Sequence, residues 1–537
     1  MSTRVLRLAV LALVGSAVIA ASGQSFKVQC PTSTKTHPTA SQNNAEPAYT
    51  GLAAVNGAIK CQQISGGDGF ATMGDGTQTY MFSFGPLSGL ADIANGLPGT
   101  QFPKAFNTLY SNWVPTPAGT DLVPGDPATT KLGGDQFTFN GAVGLTPDIE
   151  ANGAIDGHVD VRQVMDVGVM NGNIPAPLMA IDEDDEFFLT LSNVGMIMRP
   201  DLFEQHTVHF HGYPNASAFF DGVPDASVAI NIGGSFTYYY LAPDAGTYFW
   251  HCHITPPEHL QMGMVGQIYV RPRQNRVAAG KSLFNMLTAQ QNDLRTKCDS
   301  SDIVCSNPLP PSNPIVRLAT GKYCTGTSGP AGLNPLYAYN DGDGSTCYDV
   351  EYPLQIHGFD PNFHFVGMTF NPEGFADMKD KYFLLNGRSY PDTVSAGPMA
   401  TQTTDGASHF AQPLPAIINI PAGGKALLRI SDLDVSEYQT LASLGIPMNV
   451  VGYNAKLLRD QEGHNTNYKT NSITLAGGES LDVILDAHDT TKYHAGQTFY
   501  LYTPNLDHLA NDAENFGGLM TEVHICNTVD PQTKVCN

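Results

Sequence analysis

Eight side chains that can bind a metal ion fall in two short stretches, "HTVHFHG" and "FWHCHITPPEHLQMGM". They are His206, His209, His211, His251, Cys252, His253, His259 and Met264. A single His-x-His pair is more often a surface feature, and a single buried cysteine is more often inert core. Zinc also accepts Cys and His but does not account for the methionine. The concentration of these residues therefore favours a metal site that needs both nitrogen and soft sulfur ligands.

Strand periodicity sorts the histidines. Side chains alternate between the two faces of a strand, so His251 and His253 point to one side and Cys252 to the other. The same rule places His209 and His211 on one face. If the two strands pair, these four histidines share a surface, which we call the four-histidine face.

The opposite face collects a different set. His206, three residues before His209, faces the side of Cys252, and a loop carrying His259 and Met264 can fold back to that side. Two imidazoles, a thiolate and a weak thioether are the ligands of a blue electron-transfer copper. Imidazole also suits further copper, so the four-histidine face would hold more of it. The main chain at Cys252 would then be a short electron path between the two sites.

These motifs resemble those of the multicopper oxidase superfamily, which includes laccases, two-domain oxidases and copper nitrite reductases. The resemblance is strong over roughly residues 160–272 and weak over 350–525. It lies in "MNGNIPAPLMAIDEDDEFFLTLSN", "HTVHFHG", "DGVPD" and "GTYFWHCHI", and then in "KYFLLNGRSYPDT" and "IPAGGKALLRISDL".

The resemblance implies a ligand assignment and an activity. Type 1 copper would be bound by His206, Cys252, His259 and Met264, and the four-histidine face would be half of a catalytic type 2/type 3 copper cluster, with His209 on the type 2 copper. The protein would take single electrons from a donor and pass them through Cys252 to dioxygen. The donor would be a small molecule, a metal ion or a redox protein.

Two departures from the family pattern keep alternatives open. His259 follows Cys252 by seven residues instead of five, so the "PP" insertion should bulge this loop. A full cluster also needs two further His-x-His pairs, and the remaining histidines are all isolated. His508, with His357 or His364, would then complete a site across a subunit interface, although His357 is better explained as structural.

Copper nitrite reductases form trimers of this kind, which makes a homo-oligomer, with a trimer favoured, our expectation. They carry a catalytic aspartate where His209 stands, which counts against a simple nitrite reductase assignment. The alternatives to an oxidase are a nitrite-reductase-like enzyme with a mononuclear type 2 copper and a non-catalytic blue-copper electron carrier.

Composition bounds the fold and the partners. The 537 residues include 54 Gly and 37 Pro with only 14% charged residues, which is typical of an all-β protein. We expect tandem cupredoxin-like Greek-key β-sandwich domains with an irregular N-terminal arm and long insertions. The net charge of -23 argues against nucleic acid and favours cationic donors, although acidity also serves solubility.

The chain divides into five predicted segments. They are a signal peptide (1–23), an irregular arm (24–75), a copper-binding cupredoxin domain (76–275) with an insertion at about 90–155, a linker (276–345) and a second cupredoxin-like domain lacking paired histidines (346–537). The basic start and short apolar run predict export to a secreted or periplasmic location, without a membrane span. Nine cysteines then predict four disulfides, with Cys252 left over.

Overall fold

The computed structural model describes fourteen segments of the chain. They are residues 28–38, 57–107, 129–132, 135–138, 147–149, 155–159, 171–196, 198–212, 218–242, 244–290, 308–367, 374–402, 408–530 and 533–537. The signal peptide predicted over 1–23, most of the insertion expected at about 90–155, and Cys298 and Cys305 lie outside these described residues.

The strands of the N-terminal domain form two four-stranded sheets, ordered β10-β8-β1-β2 and β7-β12-β11-β9, and two hairpins, β3-β4 and β5-β6. Their bounds are β1 Ile59–Thr72, β2 Gln78–Pro86, β3 Thr129–Leu132, β4 Asp135–Thr138, β5 Pro147–Ile149, β6 Ile155–Val159, β7 Met179–Asp182, β8 Glu186–Gly195, β9 His209–Phe210, β10 Ser235–Leu241, β11 Gly246–His251 and β12 Val265–Arg271.

One apolar core joins the two four-stranded sheets. In "SFTYYYL" the side chains of Phe236, Tyr238 and Tyr240 are 0–1% exposed, as the period of two along a strand requires. They meet Trp250 and Ile268 from the opposite sheet. The domain is therefore a β-sandwich.

The C-terminal domain repeats this architecture with larger sheets, ordered β23-β22-β26-β20-β15-β16-β28-β29, with β24 on β22, and β19-β30-β27-β21-β25; β13-β14 and β17-β18 are separate pairs. The bounds are β13 Leu336–Tyr337, β14 Cys347–Tyr348, β15 Val350–Phe359, β16 Tyr382–Leu385, β17 Met399–Gln402, β18 Ser408–Ala411, β19 Ile418–Pro421, β20 Lys425–Asp432, β21 Gln439–Leu444, β22 Met448–Tyr453, β23 Lys456–Leu457, β24 Tyr468–Thr470, β25 Ser472–Leu475, β26 Ser480–Asp486, β27 Thr498–Tyr502, β28 Ala510–Asn511, β29 Glu514–Asn515 and β30 Met520–Cys526.

The described helices are short. They are α1 Leu90–Ala94, α2 Pro103–Phe106, α3 Pro256–Gln261, α4 Leu283–Gln290 and α5 Pro361–Gly367. The stretch "SLFNMLTAQQNDL", for which the sequence predicts a short helix, contains α4, and the all-β prediction is confirmed. Within the described residues, no helix combines the length and apolarity needed to cross a membrane.

Two local expectations were wrong. The irregular arm expected to residue 75 gives way to β1, which lies between β8 and β2. Its polar side chains are buried because they have distant partners, as in the 2.6 Å contact of Lys60 Nζ with the Asp185 carboxylate. The stretch "SVAINI", which the sequence predicts as a sandwich strand, forms the isolated bridge between Ile230 and His206 and no strand.

The disulfides follow the predicted pattern where the structure describes them. Cys30 pairs with Cys61, Cys324 with Cys347, and Cys526 with Cys536. Cys252 is buried and is the free cysteine of the described residues.

The two domains pack where the sheet that carries β11 and β12 meets the sheet that carries β20 and β26. Thr247 Oγ1 donates to the Asp482 carboxylate at 2.7 Å, and Gln267 Nε2 donates to Ser431 Oγ at 2.8 Å. All four residues are buried. The end of β11, where His251 lies, therefore stands at the boundary between the domains.

Candidate metal centres

The pairing of β9 with β11 brings the two ligand-bearing segments together. His251 lies directly opposite His209, and Trp250 opposite Phe210. Because side chains of directly opposite residues share a face, His209 and His251 project together on one side of the sheet. The main chain at Cys252 continues this alternation beyond the end of the strand and turns its thiol to the other side.

On the core side lies a closed group made of His206, Cys252 and His259. All three side chains are fully buried, and their ligand atoms lie within 4.8 Å of one another. His259 Nδ1 is 3.3 Å and His206 Nδ1 is 4.0 Å from Cys252 Sγ. Both imidazoles thus present the same nitrogen to the sulfur, which leaves a small pocket with two nitrogen ligands and one sulfur ligand.

The loop after Cys252 folds back to the side of Cys252, as predicted, but it does so through a short helix and not through a bulge. Pro256 and Pro257 do not bulge it; they open the short helix α3, where the fixed φ of proline is compatible with the first turn. The Cys252 amide donates to the Met264 carbonyl oxygen at 3.1 Å. Met264 is therefore opposite Cys252 on the same side, in the same buried core.

Two further groups surround the closed group and were missed at the sequence level. The Thr207 amide donates to Cys252 Sγ at 3.4 Å. Glu204, which shares the strand parity of His206, has a carboxylate oxygen 3.7 Å from His259 Nε2. Burial lowers the pKa of His259, but the Cys252 sulfur and Glu204 outweigh it and raise the pKa to about 9. The electrostatics here favour a cation.

On the other side lies an open group, His209, His211 and His251, whose ligand atoms again lie within 4.8 Å of one another. His211 Nε2 and His251 Nε2 are 2.9 Å apart. His209 Nδ1 contacts the Asp221 carbonyl oxygen at 2.7 Å, and His251 Nδ1 contacts the Cys252 carbonyl oxygen at 2.6 Å. Since a carbonyl only accepts, Nδ1 of His209 and of His251 carries the proton, and Nε2 of each carries the lone pair that could bind a metal.

His253 lies beside the open group without joining it. Its ring centroid is 5.1 Å from that of His209 and 5.5 Å from that of His251. Burial, followed by the neighbouring His209 and His253, lowers the pKa of His211 to about 4. Burial also lowers the pKa of His251 to about 3. Both imidazoles are thus neutral near pH 7, the form that binds metals.

The open group faces a cleft of about 540 Å³ between the domains. From the first domain, His211, His251 and His253 line it. The C-terminal domain lines the other side with two loops, 434–438 and 476–478, which include Asp434 and Glu437 and no histidine. The Asp434 carboxylate accepts from the Gln439 side chain at 2.6 Å, and that of Glu437 lies 2.9 Å from His508. The Nδ1 of His211 would lie 3.0 Å from a Cβ atom at Gly478, so this glycine lets the second domain approach closely.

The histidines considered as completing ligands are engaged elsewhere. His508 contacts Gln439 Oε1 and the Glu437 carboxylate, both at 2.9 Å. His357 and His364 contact main-chain carbonyl oxygens of Leu260 and Gln261, each at 2.9 Å. Within the described part of the chain, the closed and open groups are the clusters of three or more metal-binding side chains.

The donor sets of both groups fit copper. The closed group combines two imidazole nitrogens with a thiol and has the Met264 thioether on the same side, which is the set that copper prefers in electron-transfer sites. The open group offers only imidazole, which binds copper in either of its common oxidation states.

Comparison with known proteins agrees with this chemistry. Residues 155–275 match the family model described as multicopper oxidase. Over 128 residues, 24% of this chain, the sequence is 32% identical to laccase abr2 of Aspergillus fumigatus and covers 20% of it. Over 109 residues, 19% of this chain, it is 35% identical to a copper-containing nitrite reductase of Rhizobium meliloti and covers 26% of that protein.

A structural neighbour is the blue copper oxidase from Nitrosomonas europaea, at 21% identity and a TM-score of 0.42 over 66% of this chain and 78% of the other. The chain spans about a fifth of the length of the laccase that it matches. The segment that matches the multicopper oxidase family model, residues 155–275, holds both metal-binding groups.

Proposed function

We propose that the protein is an exported copper-dependent oxidoreductase. Bound copper would supply one-electron chemistry, of type 1 in the closed group and of type 2/type 3 in the open group, with dioxygen as the acceptor. The observation that supports this most is the junction between the groups. His251 belongs to the open group and Cys252 to the closed group, and His251 Nδ1 bonds to the Cys252 carbonyl oxygen at 2.6 Å.

The closed group is suited to electron transfer and not to substrate binding. His206, Cys252 and His259 have no solvent exposure, so a reacting molecule has no room beside them. A donor would instead dock where the closed group comes nearest to solvent, at Glu204, whose side chain is 31% exposed and whose carboxylate faces His259. This negative edge favours a cationic donor, as does the net charge of -23.

The open group is suited to a small molecule. Its His211 and His251 are neutral near pH 7, the ligand atoms of its three histidines lie within 4.8 Å of one another, and the cleft beside them has room for dioxygen and water. Asp434 and Glu437 stand in this cleft where further histidines would be needed for a complete cluster. We propose that any further ligands come from a neighbouring chain, in a homo-oligomer for which a trimer is favoured.

A second candidate function is reduction of nitrite or a related nitrogen oxide at a single copper. The specific observation is that His253 lies outside the open group, which leaves three imidazoles, the number that one copper ion takes. The 35% identity to the Rhizobium meliloti nitrite reductase is consistent with it. The carrier hypothesis requires that the open group bind no copper.

The number of coppers bound per chain, together with EPR and optical spectra and the oligomeric mass, tests these alternatives. About four coppers with type 1, type 2 and coupled type 3 signals support the oxidase and require ligands from a second chain. About two coppers in a trimer would replace it with the reductase. A single blue copper would contradict both and leave an electron carrier.

A further inference from the structure

The stretch Leu260–Gly263 joins two ligands of the closed group, His259 and Met264, and is held from outside its own domain. Inside the loop, the Met264 amide donates to the His259 carbonyl oxygen at 2.8 Å. The carbonyl oxygens of Leu260 and Gln261, in contrast, meet imidazoles of the C-terminal domain. The position of the loop therefore depends on the other domain.

The first of these imidazoles belongs to His357 on β15. This strand lies inside its sheet, paired with both β20 and β16, and His357 is 2% exposed. Its Nε2 donates to the Leu260 carbonyl oxygen at 2.9 Å. A side chain fixed on a central strand is a rigid platform, so it fixes this carbonyl in space.

The second imidazole belongs to His364 on α5, a helix that packs against β2 of the N-terminal domain. The ring is fully buried and stacks on Phe359 with the ring centroids 3.6 Å apart. Nε2 lies 2.9 Å from the Gln261 carbonyl oxygen and Nδ1 lies 2.6 Å from the Tyr80 carbonyl oxygen. Burial lowers the pKa of His364 to about 3, so the ring is neutral and its single N–H donates to one of these two carbonyl oxygens. His364 thus lies between the ligand loop and β2, in contact with both.

Neighbouring groups complete this contact. The Gln261 side chain donates to the Asp380 carboxylate at 2.9 Å and accepts from the Asp360 amide at 3.0 Å. Phe363 lies beside His364 and packs in the same core as Cys252 and Met264. Every polar group of Gln261 that faces the second domain therefore has a partner there.

We propose that His357 and His364 are positioning residues that set the geometry of the closed group by holding the main chain between His259 and Met264. This inference rests on the proposed copper function. The potential of a blue copper depends on its weak thioether ligand, which here would be Met264 at the end of this loop. The second domain, which supplies no ligand to the closed group, thus controls how that group binds copper.

The test compares His357→Leu, which removes the donor, with His357→Gln, whose amide can still donate to the Leu260 carbonyl. His364→Gln, which keeps one donor, gives a second probe if the leucine variant does not fold. Thr247→Val is the matched control, since it removes a buried interdomain hydrogen bond that does not touch the loop. The readouts are the optical and EPR signature, the copper affinity and the reduction potential of the copper-loaded full chain.

For His357→Leu we expect about tenfold weaker copper binding in the closed group, as is usual for outer partners of metal ligands, with a shifted blue band and potential. His357→Gln and Thr247→Val should keep all three. Equal shifts in His357→Leu and Thr247→Val, or none in either, would overturn the proposal, since the histidines would then be ordinary interface residues.

Hydrogen exchange of the metal-free chain tests the positioning role independently of the proposed copper function. The amides of Met262 to Met264 should exchange about tenfold faster in His357→Leu, because a buried carbonyl has lost its donor, and at the parental rate in Thr247→Val. Unchanged exchange in His357→Leu would refute the positioning role. Absence of any blue signal in the parent protein would instead refute the copper function and leave the exchange result standing.

Discussion

The closed and open groups come from alternate residues of the same two segments, yet they have opposite surroundings. The closed group is fully buried in the core of the first domain, whereas the open group faces a cleft of about 540 Å³ at the domain boundary. The difference follows from strand geometry, since one face of β11 turns to the core and the other turns away. One strand end therefore places a side chain of the open group, His251, and a side chain of the closed group, Cys252, one residue apart.

The second domain treats the two groups differently as well. Toward the closed group it offers imidazoles, His357 and His364, that bind main-chain carbonyls. Toward the open group it offers a loop that carries Asp434 and Glu437, whose carboxylates bind groups of the same domain. The loop of the closed group is thereby held from both domains, whereas the second domain brings no histidine to the cleft beside the open group.

Cys252→Ser should have the largest effect, and it should act on the closed group alone. Serine lacks the soft thiolate that the closed group needs, so the blue absorption should vanish and turnover should fall on the order of 1,000-fold or more. The open group should still bind copper with an unchanged EPR signal. A variant that keeps its turnover would show that electrons do not enter through the closed group.

His211→Ala should have the converse effect. Its Nε2 is 2.9 Å from that of His251, so its loss should weaken copper binding in the open group and lower turnover roughly 100-fold. The blue absorption should remain, because His211 does not contact the closed group. His488→Ala is the control, since that histidine is more than half exposed and its ring contacts Asp486. Loss of the blue signal in His211→Ala would show that the groups are not independent.

Much of this arrangement could be predicted from the sequence. The parity of His206, Cys252 and His251 follows from the period of two along any strand, so the separation into two faces needed no tertiary information. The identity of β1 could not be predicted, because its polar residues are buried only through partners such as Asp185, more than a hundred residues away. Its sequence therefore shows no hydrophobic alternation.

The contacts that the second domain makes with the two groups could not be predicted from the sequence either. His357 and His364 are isolated in the sequence, and isolated histidines carry no spacing from which a partner can be deduced. The contacts of Glu437 with His508 and with the cleft depend on how the two domains pack. The position of Glu204 could have been predicted, since it lies two residues before His206 and therefore shares its face of the strand.

Gly66→Ala should affect the closed group alone, and less severely. A Cβ atom at this position would lie 2.6 Å from His206 Cδ2, so the buried ring must shift. We expect about tenfold weaker copper binding and a broadened blue band, with the open group unchanged. Gly329→Ala is the control, because its Cβ would meet the end of the Leu333 side chain at 2.7 Å, away from both groups. Equal effects in the two variants would mean that general destabilisation is responsible.

Gly478→Ala should give the smallest change and affect only the open group. A Cβ atom would lie 3.0 Å from His211 Nδ1, which must then move by a few tenths of an ångström and weaken copper binding a few-fold. The left-handed backbone, φ +91°, adds a stability cost of about 1–2 kcal/mol. Gly423→Ala has nearly the same φ, +88°, but its nearest neighbour is Thr490 at 3.7 Å. Both variants should therefore lower the unfolding temperature equally, and only Gly478→Ala should alter the EPR signal of the open group. If Gly423→Ala altered it too, the change would come from backbone strain, and the close approach of the second domain to His211 would have no part in shaping the open group.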